Sequence, residues 1–321
     1  MSKDWIVKIA SAFPWFQQLR HYFALSRTPH GLMDMATPAF AACLWLGSFP
    51  SVGVVLLGLL TAFAGYTAVY ALNDLVDVQL DRERLAKAAA GERIEAPDLD
   101  AALARHPVAQ GLLGYGQGVA WALGWGAVAL LGAWLLNPIC AIIFLGGCLL
   151  EATYCRLFRV SPMRTLVNGV VKTLGAVAAV FAVDPAPDAL FLLVLFATFF
   201  FWEIGGQNLP NDCSDREEDL RLGARTFAVE YGWEISAFTA LATLLAAMFL
   251  SLVLPSLSGT PVTLPFFVAI AVIDAVLLLG PGFEFYRKKT PDAEMVLFNR
   301  ASYFPAALFG VMLAQLFFLG G

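Results

Sequence analysis

The chain has 321 residues, of which 59% are hydrophobic and 14% charged. That apolar share reads as an integral membrane protein rather than a soluble domain. The net charge of -5 gives no reason to expect nucleic acid, and continuous apolar runs without period-two alternation argue against a β-barrel.

Residues 1–30 form the first predicted unit, an interfacial amphipathic segment. Trp5, Ile6, Ile9, Phe13, Trp15 and Phe16 alternate with Lys8, Gln17, Gln18 and Arg20, a mixture that suits a helix lying on a bilayer. No basic n-region leads into a cleavable apolar stretch, so no signal peptide is expected. Residues 31–321 form a single domain. Nine apolar stretches in it approach the ~20 residues needed to cross a bilayer. They lie near 31–49, 51–72, 108–132, 135–155, 164–183, 187–206, 235–255, 262–281 and 299–319. Breaks such as Asn137-Pro138 and the segment from Asp184 to Asp188 separate them.

Nine spans put the amino terminus and the loops after spans 2, 4, 6 and 8 on one side. All 20 basic residues then belong to that side, counting Lys172, which lies inside span 5 about two turns away. The positive-inside rule makes this face cytoplasmic. A prokaryotic inner membrane is the expected location. The longer loops on this face are 73–107 and 207–234, and both are expected to begin as helical extensions and to cap the domain.

Both loops open on the same pattern. Asn73, Asp74, Asp77 and Asp81 read N-D-x-x-D-x-x-x-D, and so do Asn211, Asp212, Asp215 and Asp219. Offsets of three and four place the carboxylates of each copy on one helix face. A single copy is readily explained by capping at a water boundary. Two copies with identical offsets on one side of the membrane point to function. Six carboxylates gathered at one surface resist ionising together. A hard divalent cation with oxygen ligands relieves the repulsion, and Mg2+ commonly completes its shell with phosphate oxygens. The pattern describes a site for a metal-bound phosphate compound beside a lipid phase.

These motifs resemble those of the UbiA superfamily of membrane prenyltransferases, whose members have nine transmembrane helices and Asp-rich motifs after helices 2 and 6. Gly223 and Thr226 also match residues that often follow the second motif. The resemblance covers nearly the whole chain. It implies an all-α fold around a central cavity, capped by the two loops. It also implies that Mg2+, held by Asp74, Asp77, Asp81, Asp212, Asp215 and Asp219, bridges the motifs to an isoprenoid diphosphate. Ionisation of the allylic C–O bond and attack by an aromatic or quinone-precursor acceptor follow. Asp74, Asp77, Asp215 and Lys172 are the expected catalytic residues, and Asn73 and Asn211 would help to bind the donor.

Basic residues should hold the diphosphate, because Arg contacts phosphate oxygens in pairs. Arg156 and Arg159 are candidates. With Tyr154 they resemble the Tyr-and-basic element that ends helix 4 in related enzymes, although Phe158 stands where a basic residue is frequent. Arg27, just before span 1, is another candidate. Lys172 is the most pointed, since a Lys inside an apolar span needs a partner or a polar cavity. Asn168 lies one turn before it. Glu203, about 12 Å deeper than Asn211, is expected to pair with Lys172, to orient the acceptor or to take its proton. Glu151 is a weaker case of the same kind, and Asp274 reads as structural. His21, His30 and His106 show no metal-ligand spacing. The five cysteines include no C-x-x-C pair, so neither a disulfide framework nor a zinc site is expected.

Other readings remain at this point. A related enzyme could use a lipid or sugar-phosphate acceptor, or cyclise the prenyl chain. A divalent-cation transporter would place charges along a path through the midplane. A prenyl-lipid binding protein would not need two matched acidic motifs.

Overall fold

The computed structural model describes residues 14–89, 103–288 and 290–319. The predicted interfacial segment is therefore described only from Pro14, and its Trp5, Ile6, Lys8, Ile9 and Phe13 lie outside the described residues. Every regular element among the described residues is helical. Helices α1 (Pro14–Leu25), α2 (Thr28–Asp34), α3 (Ala36–Leu46), α4 (Val52–Val76) and α5 (Val78–Ala89) come first. Then come α6 (Tyr115–Leu136), α7 (Pro138–Arg156), α8 (Arg164–Val183) and α9 (Ala189–Trp202). A π-helical turn (Glu203–Asn208) leads into α10 (Leu209–Ser214), followed by α11 (Arg216–Leu222) and α12 (Phe227–Val253). Helix α13 (Leu264–Ile273) runs through a second π-turn (Asp274–Leu279) into α14 (Gly280–Lys288). Helices α15 (Pro291–Ala301) and α16 (Phe304–Leu319) complete the set.

Among the described residues, 8 helical segments are long and apolar enough to cross a membrane. They correspond to the second to ninth predicted spans. The first predicted span, 31–49, is instead two helices of 7 and 11 residues, α2 and α3. The cause lies in Pro38. Its missing N–H removes the donor that would bond the carbonyl of Asp34 four residues earlier. The Tyr66 hydroxyl donates to that carbonyl instead, at 3.2 Å. Gly47, at φ 65, ends α3 in the left-handed region.

The third span starts at Tyr115 rather than near 108. The intervening residues turn too tightly for a helix: His106 has φ 49 and Gly111 φ 76. The break predicted at Asn137-Pro138 is present. The Asn137 side chain accepts from the Ile139 N–H at 2.9 Å and so caps α7. Its amide donates to the Phe181 carbonyl at 2.9 Å, tying the α6–α7 corner to α8.

Close packing must hold helices together where lipid replaces water outside. Helices α4 and α6 approach at Gly132, where a Cβ would fall 2.1 Å from Thr61 Oγ1. Phe40, Phe191, Phe199 and Phe304 are fully buried and anchor the core of the second half. Phe199 packs edge-on against Phe40 and Trp202. Large exposed apolar side chains such as Leu123, Leu149, Phe249 and Phe318 cover the outside. Asp274, fully buried, accepts from Ser251 Oγ at 2.8 Å and lies away from the cavity described below.

Candidate active site

A cavity of about 720 Å3 runs between α3, α4, α7 and α8 and reaches the start of α10. Its polar end is built by the two acidic motifs. Each motif straddles a helix break at its middle Asp. Asp77 ends α4 at φ -89, ψ 2, and Asp215 ends α10 at φ -91, ψ 1. The i to i+4 bonding continues through both breaks. The N–H of Asp77 donates to Asn73 O and that of Asp81 to Asp77 O, while Asp215 and Asp219 donate to Asn211 O and Asp215 O. The carboxylates of each motif therefore stay on one side, and the two motifs share one local geometry. Asp77, Asp81, Asp212, Asp215 and Asp219 line the cavity with Asn73 and Asn211. Asp74 sits just behind, 3% exposed.

Cations from distant parts of the chain meet these carboxylates. His106 Nδ1 lies 3.1 Å from Asp74 and 2.8 Å from Asp81. The Asp74, Asp81 and His106 ligand atoms fall within 4.8 Å of one another, a grouping able to hold a metal. His106, which shows no metal-ligand spacing in the sequence, joins this group in space. Its contacts come from folding of the loop before α6, not from sequence spacing. Arg27 Nη2 lies 3.7 Å from Asp74. Arg84 joins the motifs, 3.8 Å from Asp81 and 3.6 Å from Asp219.

Burial, followed by the charge of Asp219, raises the Asp215 carboxyl to about 6. Burial also raises Asp219 to about 6, against the pull of Arg84. Asp77 is raised by burial and then by Asp81. His106 is raised as well: burial opposes its charge, but the hydrogen bonds it donates to Asp74 and Asp81 prevail. Asp74 Oδ2 and Asp219 Oδ1 are buried with no hydrogen-bond partner in the structure. Crowded, under-compensated carboxylates with orphaned oxygens are the donor set that a hard divalent cation takes. The residues present fit Mg2+.

Below the motifs the wall stays polar for about two turns. Asn73 Nδ2 donates to Glu151 Oε1 at 2.6 Å. Glu203 accepts from Asn208 at 3.0 Å and from Asn168 at 3.3 Å. Lys172 has a different partner: its Nζ lies 2.7 Å from Asp34 Oδ2 and also meets the Tyr70 hydroxyl. Tyr70 in turn donates to Asp34. Deeper still, the lining is apolar, with small residues such as Gly58, Ala62 and Ala179 beside larger ones such as Leu59, Ile143 and Phe144.

The predicted binding residues divide. Arg27, Lys172, Tyr154 and Asn168 line the cavity. Arg156 is exposed outside it, and Arg159 is exposed, pairs with Glu83 and donates to Leu222 O. The basic residue that the structure adds at this position is Arg164. It is 8% exposed, stacks on Tyr154 at 4.2 Å and Phe158 at 4.8 Å, and lines the cavity. Its Nε has no hydrogen-bond partner in the structure. Arg164 was not singled out from the sequence. The aromatic residues six and ten positions earlier were the available signal. Asp34 and Tyr70 were also missed, although a lone Asp inside an apolar stretch is itself a signal. Phe199 and Trp202 pack in the core, away from the cavity.

The arrangement defines a class: a helical membrane protein with a paired acidic head over a long apolar pocket. The chain belongs to the UbiA prenyltransferase family, whose model matches residues 35–304, and it is an integral membrane protein. A digeranylgeranylglyceryl phosphate synthase from Thermococcus sibiricus is 24% identical over 274 residues, covering 85% of this chain and 89% of that protein. The solved structure of a UbiA homolog from Aeropyrum pernix K1 aligns with a TM-score of 0.72 at 17% identity, covering 90% of this chain and 98% of the other. A UbiA homolog from Archaeoglobus fulgidus, bound to DMAPP and Mg2+, aligns with a TM-score of 0.62 at 18% identity, covering 91% and 99%.

Proposed function

We propose that this protein transfers a prenyl group from an isoprenoid diphosphate to an acceptor inside the membrane, in a Mg2+-dependent reaction. The observation that carries the reading is the junction of two matched acidic motifs with an apolar pocket in one cavity. Mg2+ held by Asp74, Asp77, Asp81, Asp212, Asp215 and Asp219 would neutralise charge developing on the leaving diphosphate. Asn73 and Asn211 set the edges of the two motifs. Arg27 and Arg164 face the same end and supply donors to phosphate oxygens. The C–O bond of the donor breaks with its electron pair going to diphosphate, and the acceptor forms the new bond to the allylic carbon. Glu203 and Lys172 lie at the depth where that carbon would sit. Glu203 takes the acceptor's proton, and Lys172 fixes Asp34 and Tyr70 in the wall. The apolar walls exclude water from the cation.

The acidic motifs face the cytoplasm of a prokaryotic cell, as the distribution of basic residues supports. An aromatic or quinone-precursor acceptor is one reading. The Thermococcus sibiricus relative, a digeranylgeranylglyceryl phosphate synthase, favours a second, in which the acceptor is the hydroxyl of a phosphate-bearing lipid.

The test is mass spectrometry of the purified protein in nanodiscs with prenyl diphosphates and pooled aromatic and glycerol-phosphate lipid acceptors. A prenylated product should form with Mg2+, vanish with EDTA, and identify the acceptor. Asp74→Ala and Asp215→Ala should abolish it while leaving the protein folded. Full activity in either variant would refute the proposed metal site.

A further inference from the structure

We infer that the cavity accommodates a donor of at least four isoprene units, and that Gly58 keeps its deep end open to the fourth. The inference rests on the prenyl-transfer reading and adds the size of the donor. Helix α4 lines the cavity from Asn73 to Val54. Its lining positions recur every three or four residues, as one helix face requires. From Asn73 to Gly58 is fifteen residues, or about 22 Å of helix rise. Helix α8 lines the opposite wall from Asn168 to Val183, again about 22 Å. An extended isoprene unit places four chain carbons end to end and spans about 5 Å at ordinary bond lengths. With the diphosphate at the acidic motifs, a two-unit tail ends near Tyr66 and a three-unit tail near Ala62. A four-unit tail reaches Gly58.

The deep walls suit such an occupant. Their side chains are apolar, and a Cβ built on Gly58 meets nothing within 4 Å, so the space in front of it is open. The polar level that the tail must pass carries no unmatched cation, since Lys172 is paired with Asp34. A two-unit tail would leave the deep apolar half of the cavity unfilled, with its walls short of contacts.

The experiment measures binding of geranyl, farnesyl and geranylgeranyl diphosphates in Mg2+ to the protein in nanodiscs, by isothermal titration. Longer tails also partition into lipid, so the decisive quantity is the ratio between variant and wild type for one donor. Gly58→Phe should weaken geranylgeranyl diphosphate at least tenfold and leave geranyl diphosphate within twofold. Ala62→Phe should weaken farnesyl diphosphate as well. If Gly58→Phe fails to fold, Gly58→Leu carries the same test with a smaller loss. Unchanged geranylgeranyl binding in a folded Gly58 variant, or equal losses for all three donors, would overturn the assigned length. No binding of any diphosphate to the wild type would instead overturn the transfer reading.

Discussion

Lys172 and Asp34 form an ion pair of 2.7 Å in the cavity wall, 138 positions apart in the chain. Tyr70 closes the group, with its hydroxyl on both partners and its ring 4.9 Å from the ammonium. The pair joins the short helix α2 to the long helix α8, so it fastens the broken first span to the bundle. Removing one member of a buried pair leaves the other charge uncompensated, at a cost of about 3–5 kcal/mol. Lys172→Ala should therefore lower the melting temperature sharply, and Lys172→Met combined with Asp34→Leu should lower it less. Equal losses in the single and double variants would show that the pair is not the source.

His106 sits where a metal would neutralise Asp74 and Asp81. Its proton, held more tightly beside the two carboxylates, would stabilise the metal-free protein and become redundant once Mg2+ is bound. His106→Ala should then widen the Mg2+-induced rise in melting temperature by about 1–2 °C, equivalent to roughly 1 kcal/mol in a chain of 321 residues. A narrower rise in the variant would make the imidazole a metal ligand.

Asp215 and Asp219 are both held near 6, above the ordinary carboxylate range. A carboxyl raised in the fold binds its proton more tightly there than in the unfolded chain. Its contribution to stability is thus present at low pH and lost as pH rises through about 6. A divalent cation competes with those protons. The affinity for Mg2+ should rise between pH 5 and 7 and level off above, and binding at pH 6 should release protons. Titration in two buffers of different ionisation enthalpy measures that release. An affinity that does not change from pH 5 to 7 would contradict these carboxylates as ligands.

Arg164 is held between aromatic faces with one edge toward the cavity. Arg164→Leu should raise the KM for the prenyl diphosphate about tenfold, the loss of roughly 1.4 kcal/mol expected for a charge-assisted hydrogen bond. Arg164→Lys should restore only part of this, because an ammonium lacks the planar stacking surface. The same substitutions at exposed Arg156 should change KM little.

Some of this site is written locally and some is not. The acidic motifs are legible because their offsets match a helix repeat, and the two breaks at Asp77 and Asp215 do not disturb that repeat. The corner at Asn137 is legible because Asn before Pro is a helix start. Residues brought in by tertiary folding are harder to read. His106 reaches Asp74 through a left-handed turn, and Lys172 finds Asp34 across the bundle rather than Glu203 nearby. Arg164 and Arg159 both close the α7–α8 corner, and composition alone cannot tell which one turns inward. The broken first span was hidden because hydropathy does not register the lost donor at Pro38.

The π-turn at Glu203–Asn208 carries one last consequence. Gly205 and Gly206 let it pack: a Cβ on Gly205 would fall 2.7 Å from Ala240 O, and one on Gly206 2.8 Å from Ala301 Cβ. A wider turn accommodates one residue more than an α-helical turn, and each residue advances the helix by about 100°. The extra residue therefore sets the phase between Glu203 at the start of the turn and Asp212 beyond its end, both of which face the cavity. Deleting one residue here would swing the second motif about a quarter of the way around its axis. The count of residues between Glu203 and Asp212 is thus as constrained as the motif itself. Insertions before Ala189 lengthen the loop without turning a carboxylate out of line.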